Sequence, residues 1–101
     1  MTSAVFRKTD ESDPLSAAFD YEAAGEAAAS LGLAGKRVER ALALLRESTV
    51  DCDHRAPLLR EAAIAVHHYF IQREIMGMRR HDGVIREYGI PREVLVRLGA
   101  N

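Results

Sequence analysis

A chain of 101 residues has room for one hydrophobic core, and 48% hydrophobic against 29% charged residues marks it as a folding sequence rather than a disordered one. A net charge of −1 supplies no overall basic field for nucleic acid or an anionic membrane, and no apolar run reaches the roughly 18–20 residues of a membrane span. The single cysteine, Cys52, excludes an internal disulfide; with no apolar signal-type segment in Met1–Asp13, the expected location is the reducing cytoplasm.

Taken in chain order, residues 1–12 read as a polar, solvated tail and 13–101 as a single all-helical domain. The expected fold is all-α, a small bundle of three main helices plus a short C-terminal helix pair. The first helix starts at a Ser12 or Asp13 cap with Pro14 in the first turn, where its missing N–H costs nothing. Leu15, Phe19, Ala23, Ala27 and Leu31 then recur every fourth residue, and Gly32 is expected to end the helix. A second helix is expected from Ala34 to Ser48, with Val38, Ala41, Leu42 and Leu45 as its apolar stripe. The only charges from Asp13 to Gly32 are four carboxylates, whereas Leu33–Ser48 carries a surplus of +2. Opposite signs in neighbouring segments suit an antiparallel pair.

The third helix is expected over 55–80, with Pro57 in its first turn. Leu58, Leu59, Ala62, Val66, Tyr69, Phe70 and Met76 gather on one face at 100° per residue. Ile64, Ile71, Ile75 and Met78 form a second stripe roughly opposite. A helix apolar on two sides is covered on two sides. With only three Phe, three Tyr and no Trp, the chain has a thin core that gains by burying more surface, so this second stripe is expected to meet another copy in a homodimer. Two short helices complete the chain, the first ending at Tyr88 with Gly89 as a left-handed cap, the second running over 91–98.

Candidate chemistry is sparse. His67 and His68 are adjacent, so they point 100° apart and cannot chelate one ion; the i, i+4 positions a helical zinc site needs hold Ile71 and Gln72. Asp51-Cys52-Asp53-His54 has no second ligand cluster at metal spacing and reads as a capped loop. Glu22 and Glu26, one turn apart, read as a solvated or salt-bridged face rather than an acid–base pair. Arg73 falls inside the main apolar face of the third helix between Tyr69 and Met76. A charge there needs a partner, and a buried ion pair with Glu22 or Glu26 is expected.

The C-terminal segment carries one further signal. Ile85, Gly89, Leu95 and Leu98 match the spacing of a helix-turn-helix over residues 82–98, and with Arg79 and Arg80 just before it the region carries a surplus of +2. The would-be recognition helix is barely two turns long and opens on Glu93, where phosphate is unwelcome. DNA binding by a small regulator is therefore the alternative reading.

Phe70-Ile71-Gln72-Arg73-Glu74, the run Val84-Ile85-Arg86-Glu87-Tyr88-Gly89-Ile90-Pro91-Arg92-Glu93-Val94-Leu95, and the earlier pieces Tyr21-Glu22 and Gly35-Lys36-Arg37-Val38-Glu39 resemble a family of short alphaproteobacterial proteins. That family is catalogued only as a domain of unknown function. The resemblance implies a bacterial, single-domain, helical protein and carries over no catalytic or binding residue. The sequence leads to a non-enzymatic, self-associating or protein-interaction module, with no cofactor, metal or membrane expected.

Overall fold

The computed structural model describes residues 14–49 and 53–98. Four helices follow in order: α1 (Pro14–Glu47), α2 (Arg55–Ile75), α3 (Asp82–Tyr88) and α4 (Arg92–Leu95), with no strand among the described residues. The fold is all-α. The expected tail and the caps at Ser12 and Asp13 lie outside the described residues. The chain divides into two units, residues 1–30 and 31–101.

The first difference from the sequence reading is α1, one continuous helix of 34 residues where two were expected. Gly32 does not end it. An interior glycine costs about 1 kcal/mol relative to alanine, but the apolar spacing does not slip there. Leu31, Ala34, Val38, Leu42 and Leu45 keep the 3.6-residue period across Gly32 and Gly35, and the last four of these are buried. Burial of that stripe outweighs the glycine penalty. The acidic and basic stretches consequently follow one another along a single helix rather than facing each other on an antiparallel pair.

In the unit 31–101, α1 packs its stripe against Leu59, Ala62, Ala63, Val66 and Tyr69 of α2, and Val84, Ile90 and Val94 close the core from the C-terminal segment. Leu42, Val38, Val66 and Val94 are the largest side chains to be fully enclosed. Every buried residue in this core except Tyr69 is an aliphatic or an alanine, as the low aromatic content implied.

The second difference is the end of α2, which stops at Ile75 and not near Arg80. Gly77 takes a left-handed conformation (φ +92°), its N–H donates to the Glu74 carbonyl at 3.0 Å, and the Met78 N–H donates to the Arg73 carbonyl at 2.9 Å. This is a Schellman ending, which satisfies the carbonyls that the last helical turn leaves unpaired. Met78 therefore lies beyond the helix, half-buried in the linker, and drops out of the second stripe. Met76, expected on the core face, is exposed at the same turn. The same device closes α3 where the sequence placed it: Gly89 has φ +66°, and the Ile90 N–H reaches the Ile85 carbonyl at 3.0 Å. The last helix is shorter than expected, with only Arg92–Leu95 α-helical.

Gly35 is where α1 needs a missing side chain. A Cβ built there would stand 2.7 Å from the Tyr88 hydroxyl oxygen, whereas one at Gly32 would meet nothing within 4 Å. Gly32→Ala should therefore raise stability by about 0.5–1 kcal/mol through helix propensity. Gly35→Ala should lower it, and adding Tyr88→Phe, which deletes the obstructing oxygen, should recover part of the loss. Thermal denaturation of the three variants measures the contrast directly.

Candidate functional site

Most of the large exposed apolar side chains described in the unit 31–101 lie on its two long helical segments. On α2 these are Ile64, Ile71 and Ile75, which are 56%, 41% and 76% exposed. On α1, Leu33 and Leu44 fall eleven positions apart, three turns along one side, and are also exposed. Between the helices runs an open groove of about 420 Å³ with a floor of small residues, Ala34, Ala41 and Ala65. Leu44 and Ile64 stand on its two banks, Arg37 and Arg40 on the α1 side, and Glu61 and His68 on the α2 side. Three of the four residues expected in the second stripe thus share an exposed helical face, while Met78 does not.

Arg73 is half-buried, and Glu22 and Glu26 are exposed, so none of the three is an interior charge. Arg73 spends its donors at the end of its own helix. Its Nε donates to His81 Nδ1 at 3.1 Å, one terminal nitrogen donates to the Arg80 carbonyl at 2.8 Å, and the guanidinium lies 5.9 Å from the Tyr69 ring centre. Arginine has no acceptor, so His81 Nδ1 must be the accepting nitrogen and Nε2 carries the hydrogen that faces Glu74 Oε2 at 3.0 Å. Phe70 stacks on the imidazole with ring centres 4.1 Å apart. This clasp ties the linker 76–81 back onto the last turns of α2. Sequence reasoning missed it because the partner of Arg73 comes from beyond the glycine turn.

Two further arginines act as ties. Arg55, on the first turn of α2, donates to Ser48 Oγ at 2.9 Å and to the Leu45 carbonyl at 3.4 Å at the end of α1, and pairs with Glu93 of α4. Arg46 donates to the Tyr88 carbonyl at 2.8 Å and the Gly89 carbonyl at 3.4 Å, neutralising the C-terminal end of α3. Glu93, at the start of the supposed recognition helix, is thus engaged with α2, while Val94 is buried and Leu95 half-buried against the core. The C-terminal pair docks on its own unit through the residues that the helix-turn-helix spacing drew attention to.

Among the described residues no group of His, Cys, Asp and Glu is arranged to hold a metal ion, and no helix is long and apolar enough to cross a membrane. His67 and His68 are exposed on α2. Asp51 and Cys52 lie outside the described residues.

Residues 6–101 match the profile of a family described as "Family of unknown function (DUF6665)". The chain belongs to this family. No curated protein and no solved structure matches it.

Among the described residues of this DUF6665 chain, the Tyr88 hydroxyl is perturbed, its pKa raised from 10.0 to about 12. The hydrogen bond to Tyr69 is the largest cause, followed by burial and by the proximity of Tyr69, Glu39 and Glu87. The two rings meet edge to face with centres 5.5 Å apart. The raised value holds the proton on the folded chain after an unfolded tyrosine would have lost it. Its contribution to stability is therefore complete below about pH 10 and declines as pH rises towards 12. Alkaline unfolding should steepen over that interval, and Tyr88→Phe should flatten it; spectrophotometric titration of the phenols should show the latest ionisation disappear in the same variant.

Proposed function

We propose that this protein is a non-enzymatic association module of the bacterial cytoplasm that pairs with a second copy of itself through the α1–α2 face. One observation carries the reading: Ile64, Ile71 and Ile75 form an exposed stripe on α2, and Ile64 shares a groove with the exposed Leu44 of α1. Scattered exposed hydrophobes are ordinary, but a contiguous group is characteristic of an interaction site. Covering each such side chain is worth about 1.5–3 kcal/mol before the costs of association and ordering.

The charges around this face favour a second copy as the occupant. The α1 bank is basic, with Arg37 and Arg40, and the α2 side carries Glu61 in the groove and both Arg60 and Glu74 beside the isoleucine stripe. A twofold interface uses the same patch twice, so it needs both signs within one patch. A surface for a polyanion would carry one.

Ile71 is 41% exposed, so replacing it should leave the core intact. Ile71→Glu should give a folded monomer, with its thermal midpoint lowered only by the loss of the partner. Val96→Glu changes a still more exposed apolar residue in the C-terminal turn and should leave the pairing unaltered. Sedimentation equilibrium reads both variants. A stable monomer for the unmutated chain at about tens of micromolar, a concentration that detects weak dimers, would overturn the proposal.

A further inference from the structure

His67 and His68 sit in the middle of the exposed face of α2, between Ile64 and Ile71, and both are exposed. His68 lines the groove with Arg37 and Arg40 of α1 and Glu61 of α2. His67 shares its side of the helix with Arg60 and Glu74, seven residues to either side. Cations already outnumber anions around the two imidazoles.

Twofold symmetry determines where these histidines go when two copies meet. In an antiparallel pair that sets Ile64 against Ile71 of the second copy, the axis passes between His67 and His68. Setting Ile64 against Ile75 instead moves the axis only to Tyr69–Phe70, leaving His68 within one helical turn of it. A parallel pair would place each histidine against its own counterpart. These arrangements through the isoleucine stripe bring the histidines of both copies close to the axis, and His68 of each copy lies in the groove that Arg37 and Arg40 also line.

We propose that pairing of this protein is acid-sensitive, because protonation of His67 and His68 places like charges around the symmetry axis. The inference rests on the self-association proposed above. Neutral imidazoles can be buried there or hydrogen-bonded across the axis. Imidazoliums would add to a surplus of arginine in a partly desolvated site, where like charges repel strongly. Association then favours the deprotonated form, and the dimer is lost as pH falls through the ordinary histidine range.

Sedimentation equilibrium at about pH 7.5 and about pH 5.5, values that bracket histidine titration, tests this on the full chain. Helix content is followed by circular dichroism at both values. The unmutated protein should pair at the higher pH and weaken about tenfold or more at the lower one with its helix content unchanged. His67→Gln/His68→Gln, at two exposed positions, should pair comparably at both. A wild-type dimer indifferent to pH would overturn the acid sensitivity and leave self-association standing. Equal weakening of wild type and double variant would also overturn it, since His54, His81 or the carboxylates would then be responsible. A monomer at both pH values would overturn the self-association and this inference with it.

Discussion

Everything in the unit 31–101 depends on how closely α1 can approach α2 over a core that is almost entirely aliphatic. Val38 and Leu42 meet Val66 and Val94 at nearly complete burial, and Ala34, Ala62 and Ala63 fill the spaces between them. Small residues let helices come together but contribute little apolar area each. The Tyr69–Tyr88 pair reaches the seam, and it fits only because residue 35 has no side chain. Gly35 thus exchanges local helix propensity for a tertiary contact.

A core of this kind secures the middle of the helices better than their ends. The ends are held by arginines. Arg55 joins the end of α1 to the start of α2 and to α4, Arg46 receives the carbonyl end of α3, and Arg73 gathers the linker through His81. Hydrogen bonds involving a charged group contribute about 1.5–3 kcal/mol when they are sheltered and less when exposed. Because three of these ties converge on residues 80–93, the C-terminal pair is part of the packed unit.

The same thinness explains the surface. A chain with so few aromatics cannot enclose two apolar faces of α2 with the short helices that follow it. The face carrying Leu59, Ala62, Val66 and Tyr69 wins the interior because α1, α3 and α4 all converge on it. The face carrying Ile64, Ile71 and Ile75 is left outside, and Leu33 and Leu44 of α1 are exposed as well.

Much of this was legible in the residues. Pro14 and Pro57 marked helix starts, the Gly89 turn was placed correctly, and the two stripes of α2 separated into a buried face and an exposed one. The errors in the two long helices came from two glycines. Gly32 looked like a terminator although the apolar period ran straight through it, a continuity that could have been read from Leu31, Ala34 and Val38. Gly77 looked like an interior residue although it ends the helix, and no local pattern distinguished the two. The sequence by itself determined helical periodicity, the aliphatic character of the core and the absence of a recognisable metal or catalytic motif, because these follow from residue type and spacing. Only the tertiary structure decided where α2 stops, which backbone carbonyls Arg46 and Arg73 reach, and that Gly35 makes room for Tyr88. Arg73 meets its partners across the Gly77 turn, Arg46 reaches carbonyls 42 and 43 positions away and Gly35 faces Tyr88, and spacing along one helix carries no information about what will arrive beside it.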